Sequence, residues 1–269
     1  MVPTLILATA PALAACLAPA PPGAVAANAA SQATLAWAPF GRAETGWAVY
    51  APKIATEVGT ACDVATPAFA AALAAWQGHR RLAPTGVFDP LTFAAMKAKW
   101  QAARPFVHID GRAHCPAPPP PAALATAAPG ESFAGKAVQL RARALAAFRA
   151  MRAAARRDPE VVAEPRSLTI FSGYRDPAAD AARCSAQANC NGIVRATCSA
   201  HRTGLAMDLW VGTAAGFGPD SSADANRLAM TRGPQYRWLL ANAARFGFVN
   251  YAFEPWHWEW TGEPINRPS

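Results

Sequence analysis

Residues 116–121 read Pro-Ala-Pro-Pro-Pro-Pro, and no helix or sheet strand can run through them. Proline has no backbone N–H to donate and its ring fixes φ, so such a run is an extended, semi-rigid spacer. With the Ala-, Thr-, Pro- and Gly-rich residues that follow it to 130, it predicts a linker and a domain boundary. An ordered segment over 46–115 is expected on one side and a larger domain over 131–269 on the other. A further Ala/Pro-rich stretch with almost no charge, 17–45, reads as a tether leading into the first segment. At 52% apolar, the 269 residues hold ample material for buried cores.

The first residues indicate where the chain works. The apolar run from Thr4 to Ala15 is too short to span a bilayer, and small residues crowd its end, as in a secretory signal peptide, although no Lys or Arg precedes it. Leu13-Ala-Ala-Cys16 resembles a bacterial lipobox, which implies a signal segment over 1–16, a lipid anchor on Cys16 and a membrane-anchored lipoprotein in the periplasm. An ordinary cleaved signal with a chance cysteine is the alternative, and both readings export the protein. With Cys16 lipidated, five cysteines remain, so one thiol stays free in an oxidising compartment. Cys62 and Cys115 bracket the first segment and are expected to pair, and Cys184, Cys190 and Cys198 to share one bridge of open connectivity.

The net charge of +8 favours an acidic partner. The densest basic cluster, between Arg141 and Arg157, reads as one face of an Ala-rich amphipathic helix, so no nucleic-acid partner is expected. A monomer is expected.

In the first segment Phe69, Leu73 and Trp76 recur at helical spacing, and Asp89-Pro90 is an N-cap followed by a first-turn proline. Ala75-Trp76-Gln77, Gly86-Val-Phe-Asp-Pro-Leu-Thr92 and Trp100-Gln101 resemble the peptidoglycan-binding domain type 1, a small three-helix module. The resemblance implies peptidoglycan as a partner. The aromatics by themselves read as the core of a helical bundle.

Beyond the linker, Val138, Leu145, Phe148 and Met151 mark an amphipathic helix over 132–157. Leu168-Thr-Ile-Phe171 is a short strand whose exit, Ser172-Gly-Tyr-Arg175, leaves Tyr174 and Arg175 at a cleft rim. An irregular Cys-containing loop over 178–197, a strand over 205–211, a helix over 235–246 and strands over 248–251 and 256–260 complete an α+β fold with a small, mainly antiparallel sheet.

Two clusters carry chemistry. In Ser199-Ala-His201-Arg-Thr-Gly204-Leu-Ala-Met-Asp208, His201 and Asp208 are seven residues apart and would face opposite ways in an unbroken strand, so Thr203-Gly204 must bend the chain. Ala206, Asp208 and Trp210 then share one face, with Leu205, Met207 and Leu209 toward the core. In Glu254-Pro-Trp-His-Trp-Glu-Trp260 the same parity sets His257 and Glu259 against Trp256, Trp258 and Trp260. Two imidazoles and one carboxylate suit a single zinc ion with an open position. Strand parity favours Glu259 as general base, whereas Pro255 could turn Glu254 back over the metal.

These motifs, with Ser172-Gly-Tyr-Arg175, resemble the zinc D-alanyl-D-alanine carboxypeptidase family, which includes VanY-type carboxypeptidases, D-Ala-D-Ala dipeptidases and L,D-carboxypeptidases. The resemblance covers about 135–262 and implies zinc on His201, Asp208 and His257, with Glu254 as base and Arg175 on the scissile carbonyl or substrate. It also implies stem peptides ending in D-Ala as substrate, with Ser199, Tyr174 and Trp256 as candidate substrate contacts. An L,D-carboxypeptidase, an endopeptidase and a non-catalytic wall-binding lipoprotein are the alternatives.

Overall fold

The computed structural model describes residues 16–108, 115–186 and 198–264, and the chain divides into two compact units, Met1–Met96 and Lys97–Ser269. The stretch before Cys16 that is expected to be a signal segment, together with Cys190 and the Cys184 side chain, lies outside the described residues.

The first unit begins with a disulfide between Cys16 and Cys62, 46 residues apart. Two expectations change here. Cys62 pairs with Cys16 and not with Cys115, and a Cys16 sulfur held in a disulfide is not available to carry a lipid. Helix α1 (Ala24–Thr34) then occupies the stretch read as a tether. Its alanines are the strongest helix formers, and Asn28 ties it down. That amide, fully buried, donates to the Gly86 carbonyl (2.8 Å) and accepts from the Phe88 N–H (2.7 Å). A two-residue antiparallel pair follows, β1 (Ala36–Trp37) with β2 (Glu44–Thr45), then α2 (Ala51–Val58) and α3 (Pro67–His79).

Thr66 caps α3 by accepting from the Phe69 N–H, and Pro67 stands in its first turn. Trp47, Tyr50, Ile54, Phe69, Leu73, Phe88 and Phe93 form the apolar interior. Gln77 is buried among them; it donates to the Val87 carbonyl and accepts from the Gly86 N–H. The Trp-Gln and Gly-Val-Phe motifs are therefore bound to each other, with the glutamine clamping the turn. Asp89 caps α4 (Pro90–Ala102) through the Thr92 N–H at 2.6 Å.

In the second unit the proline run is irregular, but the linker is shorter than its composition suggests. β3 (Leu124–Thr126) pairs antiparallel with β4 (Gln139–Arg141). That pairing also shortens the helix expected over 132–157, which becomes α5 (Ala142–Ala155). α6 (Pro159–Val162), β5 (Ile170–Ser172) and α7 (Pro177–Ala186) follow. α7 lies in the stretch read as an irregular loop; the Asp176 carboxylate accepts from the Ala178 and Ala179 N–H groups and Pro177 starts the helix.

β6 (Ala206–Leu209), α8 (Asp224–Arg232), α9 (Pro234–Asn242), β7 (Phe248–Asn250) and β8 (His257–Trp260) complete the chain. The four longer-range strands form one antiparallel sheet in the order β5-β6-β8-β7. One face of it buries Leu205, Met207, Leu209, Trp256, Trp258 and Trp260 against Leu145, Phe148 and Met151 of α5 and Leu239 of α9. The opposite face is left for polar groups. Among the described residues, no helix is long and apolar enough to cross a membrane.

Candidate active site

Sheet register brings the two polar clusters together. Asp208 of β6 stands directly opposite His257 of β8, and Met207 opposite Trp258, so the acid and the imidazole share the polar face while the apolar pair shares the core. His201 reaches the same place from a 3₁₀ turn, Ala200–Thr203, that ends at Gly204 with φ 70°. That left-handed residue is the bend required by the odd spacing. Arg141 secures it, with its N–H bonded to the Gly204 carbonyl and its Nε to the Thr203 carbonyl.

His201 Nε2 lies 3.2 Å from one Asp208 oxygen and His257 Nδ1 lies 2.9 Å from the other. One donor atom from each of the three buried residues falls within 4.8 Å of the others. Two imidazoles and one carboxylate are the donor set of an open zinc site. The far side of each ring is also occupied. His201 Nδ1 donates to the Gly173 carbonyl at 2.7 Å, and His257 Nε2 donates to Glu259 Oε1 at 3.3 Å. Acceptors at those positions fix the tautomers and leave His201 Nε2 and His257 Nδ1 aimed at the shared locus, so the residues present fit the metal.

Burial opposes ionisation of Asp208, but the adjacent His201 and His257 outweigh it and hold that carboxyl far below its usual range. Burial opposes the His257 charge too, yet its bonds to Asp208 and Glu259 push it up to about 9.

Glu254 comes within 3.9 Å of His257 Nδ1, and its side chain is 29% exposed. Desolvation raises its carboxyl, opposed in part by His257. Its loop is braced by Asn250, whose amide donates to the carbonyls of Glu254 (3.1 Å) and His257 (3.0 Å). The Tyr236 hydroxyl in turn donates to the Asn250 oxygen, and Arg227 donates to the Phe253 carbonyl. Glu259 is in a different situation. It is 1% exposed and accepts from Arg104 Nε at 2.7 Å and from the Phe106 N–H at 3.0 Å. Strand parity puts it beside His257, as expected, but its oxygens are engaged by partners inside the protein.

Arg175 extends from the strand exit, its N–H bonded to the His201 carbonyl and its guanidinium near Ser172 and Asp180. Burial lowers its pKa. Tyr174 is half-buried beside it, anchored through its N–H to the Gln139 carbonyl. Ser199 caps the 3₁₀ turn by accepting from the His201 N–H. Trp256 is corrected: at 4% exposed and packed in the core, it offers a substrate no surface. Cys198, next to Ser199, is a buried free thiol whose pKa burial raises, with Cys115 as its sulfur neighbour.

Gly173, Asn250 and Arg104 were not found from the sequence. Gly173 alone had a signal, its place in Ser-Gly-Tyr-Arg. A Cβ there would overlap the Gln139 carbonyl oxygen and the Val138 side chain, so only glycine lets this backbone carbonyl approach His201.

No curated protein matches the chain. His201, Asp208, His257, Glu254 and Arg175 all lie inside residues 137–263, and that segment matches the family described as VanY, D-alanyl-D-alanine carboxypeptidase.

Proposed function

We propose that the second unit is a zinc-dependent D-alanyl-D-alanine carboxypeptidase acting on peptidoglycan stem peptides. The observation that carries this reading is the convergence of His201, Asp208 and His257 on one locus with Glu254 beside it. A zinc ion held by those three side chains supplies Lewis-acid polarisation of a carbonyl and activation of water. Glu254, its carboxyl raised by desolvation, takes the proton of the attacking water and delivers it to the departing amine. Arg175 presents a fixed guanidinium to the charge developing on the carbonyl oxygen.

A cavity of about 290 Å3 opens beside Asp208 and Ser172. Lys136 and Arg183 line it, with Asp220 as its other acid, and cations there suit the free carboxylate of a terminal D-Ala. That favours removal of a terminal residue over cleavage within a cross-link. The first unit, with its Trp-Gln and Gly-Val-Phe motifs, is the proposed wall-binding module, raising the enzyme's concentration at its substrate. Export is part of the same proposal, since a Cys16–Cys62 disulfide suits an oxidising compartment.

The test is digestion of purified muropeptides followed by mass spectrometry. Loss of a single terminal alanine by zinc-loaded protein, abolished by a chelator and by Glu254→Gln, is the expected result. Intact muropeptides after incubation with zinc-loaded wild type would overturn the reading.

A further inference from the structure

We infer that Arg104 is a positioning residue for the metal site, acting through Glu259 on His257. This rests on the zinc reading above and goes beyond it, because Arg104 lies outside the segment 137–263 that carries the family match.

The chain of contacts is continuous and buried. Arg104 Nε and Nη2 both engage Glu259 Oε1, at 2.7 and 2.5 Å, and the Phe106 N–H holds Oε2 at 3.0 Å. Glu259 Oε1 accepts from His257 Nε2, and His257 Nδ1 faces Asp208. Arg104 is itself fixed: Nη1 donates to Gln101 Oε1 at 2.9 Å, and the guanidinium lies over the Tyr251 ring, 4.1 Å from its centroid. Both carboxylate oxygens are thereby pinned, so the acceptor that selects the His257 tautomer cannot rotate away.

A metal-bound imidazole whose other nitrogen bonds a fixed carboxylate is better oriented and more basic than one left to solvent. The planar fork of Arg104 suits this task, since two of its N–H groups converge on one oxygen while a third reaches Gln101; a lysine has one ammonium to offer. Glu259 is drawn away from proton transfer for the same reason.

The experiment measures zinc affinity by chelator competition on the full chain for wild type, Arg104→Gln, Arg104→Lys and the double variant Arg104→Gln/Glu259→Gln. The His257 Nε2 proton resonance of the zinc-loaded proteins is recorded alongside. Arg104→Gln is expected to weaken zinc binding about 10–100-fold, with Arg104→Lys between it and wild type. The Nε2 proton should lose its downfield shift and exchange faster with solvent in Arg104→Gln. Removing one partner of a buried ion pair can also unfold a protein. The double variant, in which neither charge is buried, keeps the question open to test and should still bind zinc about tenfold more weakly.

Wild-type zinc affinity and an Nε2 proton that keeps the wild-type downfield shift in folded Arg104→Gln or in the double variant would overturn the role of Arg104 while leaving the zinc site standing. Failure of wild type to bind zinc would overturn both.

Discussion

Asp208 and His257 are directly paired residues of neighbouring antiparallel strands, and their side chains meet at 2.9 Å on the polar face of the sheet. The pairing makes the carboxylate a shared neighbour of both imidazoles. Asp208→Asn keeps the shape and removes the charge. Zinc binding should fall by more than the ~10–100-fold typical of losing an outer-shell partner, as measured by chelator competition. Undiminished affinity would remove Asp208 from the ligand set.

Glu254→Gln should separate chemistry from metal binding. Its carboxylate lies 3.9 Å from His257 Nδ1, so zinc affinity should hold within a few fold while kcat on a muropeptide drops by ~10²–10⁴. A variant with near wild-type kcat would take the base role away from Glu254.

Asn250→Ala deletes two donors to the Glu254 and His257 carbonyls and orphans the buried Tyr236 hydroxyl. A cost of about 1–3 kcal/mol is expected from the unsatisfied groups. Denaturant unfolding reads that loss, and a drop in kcat beyond it would show that the brace also sets the position of Glu254.

The bidentate pair of Glu131 with Arg149 gives a pH dependence away from the site. Its bond to Arg149 is the leading cause holding the Glu131 carboxyl below 4.5, so the folded state favours the ionised form. The stabilisation is fully present above pH ~4.5 and is lost as pH falls through the lower folded value. Because the pair is solvent-facing, screening limits it to about 0.5–1 kcal/mol. The melting-temperature gap between wild type and Glu131→Gln should be clear at pH 7 and shrink progressively as the pH falls below 4.5; a gap independent of pH would refute the assignment.

The site was legible wherever strand period and residue type coincided. The odd spacing of His201 and Asp208 demanded the bend that Gly204 makes, and parity alone put His257 and Glu259 on one face with three tryptophans on the other. Parity could not say what each carboxylate does. That depends on Arg104, which is 155 residues from Glu259, and on a 3₁₀ turn after it, which have no local signature. Composition misled at α1, where an Ala-rich run was read as a tether although Asn28 anchors it through partners 58 and 60 residues away. α8 was missed for another reason: several of its buried positions are polar, Asn226, Arg227 and Thr231, so no apolar stripe announces it.

The bond between Cys16 and Cys62 sets a limit on proteolytic maturation. Closing a 46-residue separation is worth on the order of 4 kcal/mol through the unfolded chain. A cut beyond residue 16 would discard that contribution and open the staple of the first unit. A cut ahead of residue 16 keeps the first unit closed, so the position of any such cut decides whether the first unit retains its covalent staple.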